Sequence, residues 1–192
     1  MATSFIGLSD NNVLVSFNSN NLSRVSSLPV TGIDGSLLGI DTRPANGLIY
    51  GLSTANKIYT IDSITGSATQ VATLDTPFTA ASASGFDFNP VADRLRLVGD
   101  NDQNFRVNVD TGAVTVDGNL AYAAGDVNAG DNPSVTAAAY INSFAGTTAT
   151  QLYDIDNLQD VLVLQNPPNN GTLATIGNLG VDFSSLDRKS VV

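Results

Sequence analysis

Three aspartates stand at the same place in three copies of one short motif: Asp41 in Gly39-Ile-Asp, Asp87 in Gly85-Phe-Asp and Asp182 in Gly180-Val-Asp. If the strands that carry them line a common axis, their carboxylates converge, and hard oxygen donors of that kind suit Ca²⁺. A second reading is open. An Asp just before a Pro-containing turn, as in Asp41-Thr-Arg-Pro44, bonds the amides of that turn, which is ordinary turn chemistry. Two further stretches could hold Ca²⁺. Asp100-Asn-Asp102-Gln-Asn104 alternates oxygen-bearing side chains, but it lacks the central Gly and the distant acid of a complete calcium loop. It therefore reads first as a solvated turn. Gly125-Asp126-Val-Asn128-Ala-Gly-Asp131 lies in the longest connection between motifs, residues 118–136. Connections of that length are usually functional or mobile. There Asp126, Asn128 and Asp131 either hold Ca²⁺ or form an acidic loop without an ion.

Composition limits the chemistry further. All 18 acidic residues of the 192-residue chain are Asp, the formal charge is −10, and there is neither Cys nor His. Thiolate nucleophiles, disulfides and sulfur-ligated metals are excluded. So are a histidine general base and the commonest transition-metal ligand. A surface this acidic repels phosphate backbones and anionic headgroups, so neither nucleic acid nor an anionic membrane surface is an expected partner. No apolar run approaches membrane-spanning length, so membrane insertion is not expected. The start, Met1-Ala-Thr-Ser, lacks the basic and apolar stretches of a signal peptide.

The elements that must position these residues recur four times as strand, polar turn, strand. The copies are Phe5-Ile-Gly-Leu-Ser to Val13-Leu-Val-Ser-Phe, Leu48-Ile-Tyr-Gly-Leu to Lys57-Ile-Tyr-Thr-Ile, Leu95-Arg-Leu-Val-Gly to Asn104-Phe-Arg-Val, and Gln151-Leu-Tyr-Asp-Ile to Asp160-Val-Leu-Val-Leu. Gly39 to Gly85 is a step of 46 residues, and so is Pro44 to Pro90. A period of that size marks stacked supersecondary units. With a leading and a trailing strand, each unit becomes a four-stranded antiparallel meander. The chain is thus expected to be all-β, a single-domain β-propeller of four blades. Their bounds are 5–28 plus 179–183, 37–74, 84–117 and 137–177. The first blade lacks a leading strand, and 179–183 is expected to supply it and close the ring, which protects strand edges. The rival is a longer propeller cut short. On this topology one face collects Asp10, Asp34, Asp75, Asp100, Asp102, Asp126, Asp131 and Asp156. Arg94, Arg96 and Arg106 cluster around one blade as charge-balancing partners for Asp93, Asp110 or the axial carboxylates.

The stretches Leu38-Gly-Ile-Asp-Thr-Arg-Pro-Ala-Asn-Gly-Leu-Ile-Tyr-Gly-Leu and Gly85-Phe-Asp-Phe-Asn-Pro-Val-Ala-Asp-Arg-Leu-Arg-Leu-Val resemble a bacterial family catalogued as domain of unknown function 4394. Ala121-Tyr-Ala-Ala-Gly-Asp-Val-Asn-Ala-Gly, Ala137-Ala-Ala-Tyr and Gln165-Asn-Pro-Pro-Asn-Asn-Gly-Thr-Leu are similar to the same family. The resemblance implies a bacterial, often cyanobacterial, protein at an extracellular or cell-surface location. It implies no activity and no catalytic residues.

No nucleophile–base pair stands out, so an enzyme is not expected. The expected function is a binding or scaffold module that takes Ca²⁺ or a basic partner on its acidic face, with a protein or glycan as ligand. The alternative is a self-associating subunit of a surface layer or extracellular fibre. An Asp-dependent hydrolase or lyase acting on glycans, with paired carboxylates as acid and base, ranks below both.

Overall fold

The computed structural model describes residues 4–79 and 84–182. Its strands form four antiparallel blades of a β-propeller, as the repeat implies. Blade 1 is β1 (Ser4–Ser9), β2 (Val13–Asn18) and β3 (Asn21–Pro29). Blade 2 is β4 (Leu37–Thr42), β5 (Ile49–Ser53), β6 (Lys57–Ile61) and β7 (Ala68–Thr73). Blade 3 is β8 (Ser84–Asn89), β9 (Arg94–Gly99), β10 (Asn104–Val107) and β11 (Val114–Val116). Blade 4 contains β12 (Ala121–Tyr122), β13 (Val135–Tyr140), β14 (Leu152–Asp156), β15 (Val161–Gln165) and β16 (Thr172–Asn178). Its order is β12-β16-β15-β14-β13, with β12 parallel to β16. The connection expected to be one long loop therefore adds a fifth strand. Among the described residues the helical element is a single 3-10 turn at Pro168–Asn170.

Turn chemistry sets the strand lengths. The β1–β2, β5–β6, β9–β10 and β14–β15 turns carry Asn or Asp at positive φ: Asn11 and Asn12, Asn56, Asp102, and Asp160. These are the non-Gly residues that best tolerate that region. The same turns tie each blade to the chain that leaves it. The carbonyls of Asn12, Asn56, Asp102 and Asp160 accept the N–H groups of Val30, Leu74, Leu120 and Leu179 at 2.8, 2.9, 3.1 and 2.8 Å.

The same regularity reaches the C-terminal segment. Leu179 takes the place of the exit residues Val30 and Leu74. The chain then crosses to the next blade before a leading strand opens, at Leu37 and Ser84. Gly180, Val181 and Asp182 lie in no strand, and the first sheet has three strands among the described residues. Phe183 lies outside them.

The core is divided among the blade interfaces. Leu8 and Leu14 meet Leu37, Ile40, Ile49 and Tyr59 between blades 1 and 2. Tyr50, Leu52 and Ile58 meet Phe86, Phe88 and Leu97 between blades 2 and 3, where the Tyr50 and Phe88 rings pack edge to face at 5.4 Å. Val98 meets Leu120, Val135 and Val163 between blades 3 and 4. Each face of a central blade is buried, so strands such as β5 are buried along their whole length. Strand alternation there serves two interfaces rather than one.

Candidate functional site

The leading strands β4 and β8 place Asp41 and Asp87 side by side, where their oxygens reach backbone amides of the following turn and of the next blade. One oxygen of Asp41 accepts the N–H of Thr42 at 2.7 Å, the local bond expected of turn chemistry. Its other oxygen accepts the N–H of Phe88 in the next blade at 2.8 Å. Asp87 repeats this one blade further on, accepting the N–H of Tyr140 at 2.8 Å. The two carboxyl groups lie close enough for each to act on the charge of the other. Burial pushes Asp41 up to about 6, against the pull of the Phe88 and Thr42 amides and of Asp87. Burial, and then the charge on Asp41, raises Asp87 well above the usual carboxylate range. Asp182 does not join them; it is exposed and outside any strand.

Sequence reasoning missed Asp154 on β14. It is buried, and both of its oxygens lack a hydrogen-bond partner. Burial raises its pKa well above normal although Arg96 draws it down. The available signal was the alternation in Leu152-Tyr-Asp-Ile-Asp156, which puts Asp154 and Asp156 on the same buried side as Leu152. Asp156 is satisfied: it accepts the Tyr122 hydroxyl at 2.6 Å and the N–H groups of Leu158 and Gln159.

Arginines take up most of the remaining interior charge. Arg96, 1% exposed, donates to Asn104 Oδ1 and Asp117 Oδ2 at 2.7 Å, to Asn169 Oδ1 at 2.9 Å and to the Tyr140 hydroxyl at 3.3 Å. Arg106 holds both oxygens of Asp117. Asp93 and Asp110, expected as partners of this cluster, belong instead to Arg43, which grips each with paired bonds of 2.6–3.1 Å. The Arg43 guanidinium holds Asp93 below the usual range. Arg94 donates to the carbonyl of Asp93.

The opposite rim, built from the β1–β2, β5–β6, β9–β10 and β14–β15 turns and the blade connections, carries the other expected ligands. Asp100 and Asp102 sit in the blade 3 turn, where Asp102 supplies the positive-φ position rather than a completed ion loop. Asp126 is a structural clamp. Its carboxylate accepts the N–H and the hydroxyl of Thr175, both at 2.7 Å, and the N–H of Asn128 at 3.0 Å. Asn128 in turn donates to the Thr175 hydroxyl. Asp131 is exposed at the far end of the same loop. Among the described residues no group of three or more Asp side chains gathers closely enough to hold a metal ion. Asp126→Ala is expected to free residues 123–131 from β16 and make that loop cleavable by limited proteolysis while the melting transition stays cooperative. Unchanged cleavage would contradict the clamp.

Solved structures similar to this chain share its fold at low identity. A protein of unknown function from Bacteroides thetaiotaomicron is 17% identical with a TM-score of 0.53, over 88% of this chain and 42% of its own. An auxiliary nutrient binding protein from Bacteroides ovatus is 15% identical with a TM-score of 0.52, over 88% and 46%. Virginiamycin B lyase from Staphylococcus aureus is 13% identical with a TM-score of 0.48, over 83% and 48%. The chain thus spans under half the length of each of these structures. No curated protein matches it. The family model described as Domain of unknown function (DUF4394) matches residues 13–189, and the chain belongs to that family.

Proposed function

We propose that this propeller is a non-catalytic binding scaffold that presents its acidic rim to a cationic partner, a basic protein segment or Ca²⁺. The observation that carries the reading is the imbalance of charge at that rim. Asp10, Asp34, Asp75 and Asp131 are exposed there. The basic side chain beside them, among the described residues, is Lys57, which Asp34 already holds at 2.7 Å. A rim of one sign steers oppositely charged partners and accelerates their association. The axial carboxylates argue against catalysis, because Asp41 and Asp87 spend their oxygens on backbone amides rather than facing a substrate. The reading as an Asp-dependent glycan hydrolase or lyase therefore ranks lower.

The test is calorimetric titration with a ten-residue oligolysine and, separately, with CaCl₂. Both titrations are repeated on Asp10→Asn/Asp75→Asn/Asp131→Asn, which keeps hydrogen-bonding capacity and removes three charges. Binding at low salt that weakens by about tenfold in the triple variant, and again at high salt, is the expected result. Absence of heat with either probe, or equal affinity in the variant, would discard the reading. Light scattering of the same samples separates it from the alternative of a self-associating structural subunit, which should grow with concentration without any added cation.

A further inference from the structure

We infer that a groove on the turn rim of blade 2 is the seat of this chain's own C-terminal segment, with the Val192 side chain as its occupant. The seated segment joins blade 1 to blade 2 as Arg43 joins blade 2 to blade 3. The joint between blades 2 and 3 supplies the pattern. Arg43, in the turn after β4, leaves its own blade and grips Asp93 in the β8–β9 turn and Asp110 in the β10–β11 turn.

Blades 2 and 3 repeat in register at a step of 46 residues. Asp41 pairs with Tyr50 and Ile49 with Ile61, as Asp87 pairs with Arg96 and Leu95 with Val107. The turns repeat too. The N–H of Gly47 donates to the Arg43 carbonyl and that of Gly66 to Asp62, as Asp93 does to Asn89 and Gly112 to Asn108, all at 2.8–2.9 Å. By the same step Gly47 stands where blade 3 has Asp93, Leu48 where it has Arg94, and Ile64 where it has Asp110. Three charged positions of blade 3 are thus uncharged in blade 2.

Those three residues, with Ile49 and Ile61, line a groove of about 330 Å³. Leu48 is 50% exposed there and Ile64 86%, and a Cβ placed on Gly47 would meet nothing within 4 Å. Adjoining exposed apolar side chains around a groove mark an interaction surface. Blade 3 offers two carboxylates at this place and receives a guanidinium. Blade 2 offers aliphatic walls, which suit an aliphatic side chain. Among the described residues blade 1 has no leading strand, and so no counterpart of Arg43 to lay there.

Counting along the chain names the occupant. The exit residues Val30 and Leu179 make the same 2.8 Å bond to their own blades. Arg43 follows Val30 by 13 residues, and Val192 follows Leu179 by the same 13. The crossing from Val30 to Leu37 is shorter than those from Leu74 to Ser84 and from Leu120 to Val135, and a crossing of that length brings Val192 to the clamp position. Residues 183–192 lie outside the described residues. Val191 and Val192 are both aliphatic, as the walls require, and seating them removes apolar surface from water on both sides.

The chain has no Cys, so introduced thiols report without interference. In the full chain, Ile64→Cys/Val192→Cys is oxidised with diamide at low protein concentration and resolved on a non-reducing gel. A disulfide needs its two Cα atoms within about 7 Å, so an internally linked monomer should form about tenfold faster than in Val91→Cys/Val192→Cys. Val91 is 49% exposed in the β8–β9 turn. Equal rates in the two pairs would overturn the inference, because a segment that visits both sites alike is seated at neither. A linked dimer would overturn it as well and assign the groove to a second copy of the chain.

A second measurement needs no disulfide. The thiol of Val192→Cys should react with DTNB about tenfold more slowly than that of Val192→Cys/Ile64→Asp, in which a carboxylate replaces the apolar wall. Ile64 is exposed, so its replacement leaves the core untouched. Equal reactivity in the two variants would reject the seat.

Discussion

Arg96→Met should cost about 3–5 kcal/mol of folding stability, the usual consequence of breaking a buried ion pair from one side. Arg96 is 1% exposed and Asp117, its ion-pair partner, is also buried. Met keeps an unbranched apolar stem but not the guanidinium head, so the loss reports the charge and hydrogen bonds together with the space that the head group leaves. Four partners would be stranded or weakened: Asp117, Asn104, Asn169 and the Tyr140 hydroxyl. They come from blade 3, from the turn before β16 and from β13, so the variant should separate blades 3 and 4 rather than soften one sheet. Arg106→Met is the control, because Arg106 contacts the same carboxylate at 2.7 Å but is 36% exposed. Its loss should cost about 1 kcal/mol, since solvent screens the pair. Urea denaturation of the two variants makes the comparison directly. Equal midpoints would mean that the Arg96 network contributes no more than a surface contact.

The blades were legible because their signals are local. Turns at Asn12, Asn56, Asp102 and Asp160 follow from residues that tolerate positive φ, and hairpins follow from the strand–turn–strand repeat. The polar joints were not legible, because each forms only after blades assemble. Asp41 finds Phe88 at a separation of 47 residues, and Asp87 finds Tyr140 at 53. The sequence placed both Asp at equivalent positions, which is correct, but it cannot state which amide an oxygen will reach. Asp182 sits in a Gly-Val-Asp triplet that copies the leading-strand motif, and it follows the exit residue Leu179 without itself lying in a strand. The two-residue strand β12 was invisible because it is too short for any periodicity, and its pairing depends on Asp126 anchoring the loop to Thr175.

The sharpest test of how closely blades 3 and 4 meet is a single methyl group at Gly85. A Cβ built there would fall onto the Ala138 Cβ and the Val98 Cγ2, and would lie 2.8 Å from the Ala138 backbone nitrogen. Val98 is fully buried, and the backbone of β13 cannot retreat without stretching the Asp87–Tyr140 bond two residues further along both strands. Gly85→Ala should therefore destabilise the fold by about 3 kcal/mol, at the upper end for overpacking. The sign is informative by itself. At a backbone position that Ala can adopt, replacing Gly would normally stabilise by about 0.4–1 kcal/mol through the unfolded chain. Ala138→Gly alone should cost about 1 kcal/mol, as Gly does within a strand. In the Gly85→Ala background the same change should instead recover part of the stability, because it removes one of the three atoms that the new methyl strikes. The coupling between the two sites, read from denaturation midpoints, should thus be opposite in sign to the single costs. Additive losses would show that β8 and β13 do not approach at this point.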